Sequence, residues 1–169
     1  TYNYCTESSV CCRKGSLLAE QLVFGCEYAG GGCGPKTKSF MVMATNGAWS
    51  KPHGWWNMIS AAKQRGVNII VIDARRTKVA ELATIHLQPK QGTDAALGAG
   101  ICRVLFEEGL YNKPFCDKWV YGVEEYRNYF KDFTPEKTEA ITGVPADLIV
   151  KAARMYAEGP GSFPLTSQS

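Results

Sequence analysis

Three short apolar runs, each followed by a polar loop and then by a helical pattern, constrain the fold of this chain most strongly. The segments SFMVMATN (39–46), VNIIVID (67–73) and TIHLQPK (84–90) predict strands, the first ending at Asn46 and the third the weakest. Between them, WWNMISAAKQRG predicts a helix that ends at Gly66, and TKVAELA predicts a short helix. Alternating strands and helices predict a parallel sheet with right-handed crossovers. We therefore expect an α/β fold with a Rossmann-like parallel sheet and flanking helices.

The second half of the chain has helical patterns. The segment TDAALGAGICRVLFEEG predicts a long helix with Asp94 in its first turn and Gly109 at its end. Thr134 followed by Pro135 is typical of a helix N-terminus, and Pro145 opens a last helix. The segments NKPFCDKWVYG and VEEYRNYFKDF carry aromatic side chains at helical spacing. We expect those aromatic side chains to lie in the core rather than to form a binding cage.

Length and composition narrow the class of protein. A chain of 169 residues predicts one domain of ordinary size, and a net charge of +3 without a Lys/Arg run gives no sign of nucleic-acid binding. No apolar run reaches the roughly 18 to 20 residues of a membrane span. Residues 1–38 are rich in Cys, Gly and Ser, and GSLLAEQLVFG (15–25) predicts a short helix bounded by glycines within them, whereas the α/β domain is expected at 39–169. We expect a piece of a larger polypeptide whose sheet is incomplete at the C-terminus, where GSFPLTSQS begins another strand.

The cysteines give no complete metal or disulfide framework. Their number is odd and no two are spaced as C-x-x-C, which argues against a zinc ribbon and against full disulfide pairing. We expect buried thiols at Cys102 and Cys116 and a reducing compartment, with the cytoplasm favoured and the periplasm as the alternative. The seven are Cys5, Cys11, Cys12, Cys26, Cys33, Cys102 and Cys116.

The loops after the three predicted strands carry the polar residues that a ligand needs. They are TNGAWSKP (45–52), DARRT (73–77) and QPKQGTDAAL (88–97). In open α/β sheets, ligands bind outside the carboxyl ends of the strands, where these loops would meet. No G-x-G-x-x-G turn is present, which disfavours an NAD dehydrogenase.

The side chains in these loops suit a nucleotide. Asp73 can accept hydrogen bonds from ribose hydroxyls or from a base edge, and the guanidinium groups of Arg75 and Arg76 can bind phosphates. Gly92 permits close approach of a ligand to the backbone, and Asp94 lies near a helix N-terminus. Taken singly these signals are weak, because an Asp at a strand end is often a cap or turn residue.

Taken together, the segments are more specific. The run VIDARRTKVAELATIHLQPKQGTDAAL, followed by EEGLYNKPF, resembles the molybdopterin oxidoreductase family, the dimethyl-sulfoxide-reductase-like superfamily. Members carry D-P-R-R-T…A…A-D-x-x-L-P-x-x-P-G-T-D-x-A-L, then EE-x-LYD-x-x-F. The segment TPEKTEAITGVPADLIVKAARMYAEGPGS is similar to a further family motif. The chain departs at Ala74, where proline is usual, at Thr84, where Asp is usual, and at His86, where an apolar or aromatic residue is frequent.

The resemblance implies a cofactor. Members bind bis-molybdopterin guanine dinucleotide with Mo or W, and strand-end loops hold a guanine dinucleotide arm without a glycine-rich turn. The loop from Asn46 to Ser50 lies where the family has G-x-N-P. The residues of this chain that would contact the cofactor are Asn46, Trp49, Ser50, Asp73, Arg75, Arg76, Gly92 and Asp94.

The resemblance also implies a metal ligand. Counted back from Gly25, Cys12 falls at the position of the family's ligand and would be both the catalytic and the metal-binding residue, because a thiolate is a soft donor. Cys11 is the alternative ligand, and a buried structural thiol at Cys12 stays open. No His follows Cys12, which argues against formate chemistry. We expect structural roles for His53 and His86.

The resemblance leaves several activities open. An oxidoreductase is favoured, with a small-molecule substrate, an iron–sulfur electron-transfer subunit as partner and a 4Fe-4S cluster in the part of the protein before Thr1. Transhydroxylases, acetylene hydratase and the thiosulfate, arsenate or polysulfide reductases are also members, and the RRTKVAE…GTDAAL run is close to the acetylene hydratase pattern. A non-catalytic nucleotide-binding module is the alternative outside enzymes.

Overall fold

A parallel sheet forms the centre of the structure. The computed structural model describes residues 14–25, 34–158 and 162–166. Four strands pair in the order β3-β2-β1-β4, all parallel, which confirms the predicted α/β fold. The last strand lies where the sequence predicted another strand to begin. The strands are β1 (Ser39–Met43), β2 (Asn68–Ile72), β3 (Ile85–Leu87) and β4 (Ser162–Thr166).

Helices connect and flank these strands. Gly66 and Gly109, which follow α3 and α5, have the positive φ angles of +78° and +65° that end helices at glycine. The predicted helix beginning at Trp55 instead starts as a π-helical turn, Pro52–Trp56, and continues as α3. The helices are α1 (Lys14–Phe24), α2 (Gly47–Ser50), α3 (Asn57–Gln64), α4 (Lys78–Glu81), α5 (Asp94–Glu107), α6 (Lys113–Trp119), α7 (Val123–Phe130), α8 (Pro135–Thr142) and α9 (Ala146–Ala157).

Both faces of the sheet are covered by apolar side chains. Successive residues of a strand point to opposite faces, so β2 contributes Ile70 and Ile72 to one face and Ile69 and Val71 to the other. The first face packs against the apolar faces of α5 and α9, to which α5 contributes Leu97 and α9 contributes Ile149. The second face packs against α3 and α4. Burial on both faces explains why the strands are continuous apolar runs.

Helix α8 begins where its sequence predicts and packs against α5. Thr134 caps α8, because its hydroxyl accepts a hydrogen bond from the backbone N–H of Lys137 at 3.3 Å. Helix α5 lies against α8 where Gly100 faces Thr138. A Cβ atom at position 100 would come within 2.5 Å of the Thr138 hydroxyl oxygen, so glycine is needed for this close approach.

The expectation that the aromatic side chains of α6 and α7 lie in the core is wrong. Trp119 is 68% exposed and Tyr121, just after α6, is 98% exposed. On α7, the rings of Tyr126 and Tyr129 are largely exposed and pack edge-on against Phe130, with centroids 5.5 and 5.2 Å apart. Helical spacing correctly predicted two helices, but it does not tell whether another element covers the apolar face.

Two further expectations concern the cysteines and membranes. Cys102 and Cys116 are free thiols and only partly buried, and burial raises the pKa of Cys102. Cys12 and the other N-terminal cysteines lie outside the described residues. Within the described part of the chain, no helix is long and apolar enough to cross a membrane.

Candidate functional site at the carboxyl edge of the sheet

The carboxyl ends of β1, β2 and β3 meet at one edge of the sheet. The chain proceeds from β1 to β2 and β3 on one side, and β4 returns to the opposite side of β1. The strand order therefore reverses between β1 and β4. Ligands of open α/β sheets bind in the crevice outside such a reversal point. The loop that leaves β1 lies at this position.

The backbone of the β1 loop is strained at its first residue. Ala44 has φ of +49°, and no other non-glycine residue in the described part of the chain has a positive φ. The left-handed conformation costs a residue with a Cβ atom about 1–2 kcal/mol. The Ala44 N–H donates to the Ile72 carbonyl at 2.9 Å, which ties the loop to the end of β2. Such strain is concentrated at functional sites in proteins.

Two buried oxygen atoms in the same loop lack a hydrogen-bond partner within the described residues. They are the hydroxyl oxygen of Thr45, a residue that is 3% exposed, and Oδ1 of Asn46. An unsatisfied buried polar group costs about 1–3 kcal/mol. A bound ligand with N–H or O–H donors would remove this cost at both atoms. Sequence reasoning predicted Asn46 but missed Thr45, because the residue type alone does not show that the hydroxyl is buried without a partner.

The other residues of the β1 loop hold its shape. The Asn46 carbonyl accepts hydrogen bonds from the backbone N–H groups of Trp49 and Ser50 at 2.9 and 3.0 Å, and from the Ser50 hydroxyl at 3.2 Å. Gly47 is buried against Trp55, since a Cβ at position 47 would lie 3.0 Å from that of Trp55. Trp49, in contrast, is 87% exposed. Of the residues predicted here, Ser50 supports the loop and Trp49 presents a free indole.

The β2 loop presents one open carboxylate oxygen. Asp73 is only 8% exposed, and its Oδ1 accepts a hydrogen bond from the Arg75 backbone N–H at 2.8 Å. No described residue donates to Oδ2. The Arg75 side chain lies 3.8 Å from Oδ1 and is 74% exposed, so this ion pair contributes little. Arg76 is also exposed.

Side chains of β3 and the residue after it hold the β2 loop from the side. The Asp73 N–H donates to the Leu87 carbonyl at 3.1 Å. The Asp73 carbonyl lies 2.9 Å from Nε2 of His86, which must carry the hydrogen because a carbonyl oxygen only accepts. The amide of Gln88 donates to the Ala74 carbonyl at 3.3 Å. A structural role was expected for His86, and in the structure its side chain holds the backbone carbonyl of Asp73.

The β3 loop supplies open backbone next to the N-terminus of α5. Gly92 has φ of +80°, and no described atom lies within 4 Å of where its Cβ would be. The Thr93 hydroxyl donates to the Lys90 carbonyl at 2.6 Å, and the Lys90 N–H donates to the Thr142 carbonyl at 2.8 Å, which fixes the loop against α8. Asp94 is exposed as the first residue of α5.

The structure thus places the eight predicted cofactor contacts in three neighbouring loops. Their roles stay predictions. The predicted metal ligand, Cys12, lies outside the described residues. Within the described ranges, no group of three or more His, Cys, Asp or Glu side chains could hold a metal ion. The arrangement can accept hydrogen bonds at Thr45, Asn46 and Asp73 and can bind anions at the exposed guanidinium groups beside Asp73.

The fold and these loops define an α/β domain with a candidate ligand site at its strand-order reversal. No family model matches the chain. Individual proteins do: acetylene hydratase of Syntrophotalea acetylenica is 45% identical over 116 residues, or 66% of this chain and 16% of that protein. The probable oxidoreductase YoaE of Bacillus subtilis is 35% identical over 75% of this chain and 18% of that protein. Formate dehydrogenase H of Escherichia coli is 43% identical over 60% of this chain and 14% of that enzyme.

A solved structure agrees with these sequences. Acetylene hydratase from Pelobacter acetylenicus matches with a TM-score of 0.70 and 36% sequence identity, over 80% of this chain and 18% of that structure. The chain belongs to the molybdopterin oxidoreductase superfamily, whose motifs its sequence resembles. It spans less than a fifth of the length of the three relatives described above.

Proposed function

We propose that this chain is part of the catalytic subunit of a Mo- or W-dependent bis-molybdopterin guanine dinucleotide enzyme, and that its carboxyl edge holds one guanine dinucleotide arm. The observation that carries the proposal is a group of acceptors at this edge: the buried Thr45 hydroxyl and Oδ1 of Asn46, which are unsatisfied within the described residues, and Oδ2 of Asp73, to which no described residue donates. Membership of the superfamily supports the choice of cofactor. These acceptors fit the guanosine part of the group, because the guanine N1–H, its amino group and the ribose hydroxyls are donors.

The Asp73 carboxylate would bind the guanine base. The N1–H and the amino group of guanine are two donors on one edge, and an ionised carboxylate only accepts. One carboxylate oxygen is already fixed by the Arg75 backbone N–H, so the carboxylate direction is set before the base arrives. Pre-organisation of this kind lowers the entropic cost of binding.

The remaining loop residues would bind the ribose and phosphates. The guanidinium groups of Arg75 and Arg76 are exposed and planar, which suits two-point contacts with phosphate oxygens. Gly92 leaves open space beside the backbone for close approach of an anion. Asp94 would accept from ribose hydroxyls, and the indole of Trp49 would cover the cofactor at the β1 loop.

The proposed metal ligand and the proposed electron-transfer partners involve parts of the protein that the structure does not describe. Cys12 would supply the thiolate ligand, with Cys11 as the alternative, in a segment 1–38 that joins an adjoining domain to the α/β domain at 39–169. The bound metal would supply two-electron chemistry with transfer of an oxygen atom or a hydride. A 4Fe-4S cluster, an iron–sulfur partner subunit and a cytoplasmic location complete the proposal for the whole protein, with a small molecule as substrate.

A hydratase is the second candidate. It is favoured by the 45% identity to acetylene hydratase and by the TM-score of 0.70 to a structure of such an enzyme. Addition of water to acetylene gives acetaldehyde without net electron transfer, so a hydratase would need no electron-transfer subunit. The site residues in this chain would do the same work for either activity, because they hold the cofactor rather than the substrate.

Metal and nucleotide analysis tests the proposal. The full-length protein is purified from its natural source, its Mo, W and Fe are measured by mass spectrometry, and GMP is measured after acid hydrolysis. About one Mo or W atom and about two GMP per polypeptide are expected. Absence of both metals and of GMP from intact protein, purified from cells supplied with molybdate and tungstate, would contradict the proposal and favour a non-catalytic module.

Product analysis separates the two candidates. The metal-loaded protein is incubated with acetylene in the presence and absence of an artificial electron acceptor. Acetaldehyde formed at the same rate in both would favour the hydratase. Absence of acetaldehyde, together with reduction of the acceptor by another substrate, would favour the oxidoreductase.

A further inference from the structure

We propose that His86 is a positioning residue for the nucleotide-binding turn at Asp73. The inference goes beyond the proposed function and rests on it. His86 would act on the nucleotide through Asp73, because its Nε2–H donates to the Asp73 backbone carbonyl at 2.9 Å. The carboxylate of the same residue, Asp73, is the group that offers an open oxygen to the base.

The Asp73 turn lies beyond the regular pairing of β2 with β3, so side chains determine how firmly it is held. Strand β2 ends at Ile72, and the last backbone bond to β3 is that from the Asp73 N–H to Leu87. Past this point, His86 and Gln88 bind the two successive carbonyl groups of Asp73 and Ala74. These two donors therefore hold the carbonyl side of the turn against β3, while the Oδ1 bond to the Arg75 N–H holds the carboxylate within the turn.

His86 contributes more than Gln88 to this support. The His86 side chain is half-buried and its bond is 2.9 Å long, whereas Gln88 is exposed and its bond is 3.3 Å long. A hydrogen bond shielded from water is stronger than one in competition with solvent. An apolar side chain at position 86 could not donate to this carbonyl, so the support depends on the imidazole.

Release of the cofactor from the full-length, cofactor-loaded protein tests this role. Wild type, His86→Leu and His86→Gln are incubated at raised salt, released cofactor is removed by gel filtration, and the metal that stays with the protein is followed over time by mass spectrometry together with the GMP that acid hydrolysis liberates. His86→Leu is expected to lose metal and GMP together about 5–10-fold faster, the effect of one lost hydrogen bond. His86→Gln is expected to restore slow release, because the Gln amide nitrogen is as many bonds from Cα as Nε2 of His.

Thr84→Val is the matched control for general loosening of β3. The Thr84 hydroxyl accepts from the Ile69 N–H at 3.1 Å, at the opposite end of the strand from the turn. This variant is expected to lower stability and to release the cofactor at the wild-type rate. Three results would each overturn the role of His86. His86→Leu could release the cofactor at the wild-type rate, or Thr84→Val could accelerate release as much as His86→Leu does. His86→Gln could also fail to restore slow release. Wild-type protein without GMP would instead overturn the proposed function itself.

Discussion

Replacement of Asp73 by Asn tests the nucleotide site while leaving the fold of the turn intact. Oδ1 of residue 73 accepts from the Arg75 N–H at 2.8 Å, and an amide oxygen can make the same bond whereas an amide nitrogen cannot. The Asn side chain is therefore fixed in one orientation. Its NH₂ group then takes the place of the open Oδ2 and presents donors to the donor edge of guanine.

The structure gives the expected size of the effect. A hydrogen bond to a charged group contributes about 1.5–3 kcal/mol, which corresponds to roughly 10- to 100-fold in the dissociation rate of the arm. Loss of the ion pair with Arg75 adds little, because that side chain is 74% exposed and 3.8 Å away. The unfolding midpoint in urea is expected to change little, since the bond that shapes the turn is kept.

The assay compares Asp73→Asn with wild type and with Asp117→Asn, which makes the same chemical change on the exposed surface of α6. Each full-length variant is purified with its cofactor and passed repeatedly through gel filtration. The Mo or W that stays bound and the GMP that acid hydrolysis liberates from the protein are then quantified. Faster loss of metal and GMP together is expected from Asp73→Asn, because the guanine arm and the metal-binding pterin are one molecule. If Asp73→Asn retained its cofactor as firmly as both comparison proteins, the assignment of the carboxylate to the base would be refuted.

Three further substitutions test the energetic account by urea unfolding of the purified chain. Ala44→Gly relieves the strain of the φ of +49° and should stabilise the fold by about 0.5–1 kcal/mol, because the relieved strain exceeds the entropy gained by the unfolded chain. A lower urea midpoint would contradict the presence of strain at this residue. Gly100→Ala places a Cβ atom against Thr138 and should destabilise the fold by about 2 kcal/mol, because the steric overlap outweighs the higher helix propensity of alanine. A higher urea midpoint would contradict the close approach of α5 and α8. Arg154 lowers the pKa of Glu108 from 4.5, so this pair stabilises the fold above that pH and the contribution is lost as pH falls through the lowered value. Glu108→Gln should therefore remove part of the loss of stability on acidification, and an unchanged pH profile would show that the pair contributes nothing.

The regular elements could be predicted from the sequence because their signals are local. The run IIVI (69–72) has no polar interruption, is short and is β-branched throughout, which is typical of a parallel strand buried on both faces. Gly66 and Gly109 end helices at positive φ, which few other residues adopt. The strand-end loops were located by the same reasoning, since parallel strands bring their carboxyl ends to one edge.

The features that were missed depend on contacts between distant parts of the chain. The strained backbone at Ala44 has no local signal, because alanine ordinarily avoids that conformation. The unsatisfied hydroxyl of Thr45 follows from what surrounds it and not from its own type. The bond from His86 to Asp73 joins residues 13 positions apart on neighbouring strands. Exposure of Tyr121 likewise depends on which elements pack nearby.

A structure of the full-length protein with its cofactor bound would test the central claim most directly. The measurement is the distance from the Asp73 carboxylate oxygens to N1 and the amino nitrogen of the nearest guanine. Hydrogen-bond distances of about 2.7–3.2 Å are predicted, with the Thr45 hydroxyl and Oδ1 of Asn46 also in contact with the cofactor. A guanine bound elsewhere, with Asp73 facing solvent and both loop oxygens still unpaired, would contradict the account.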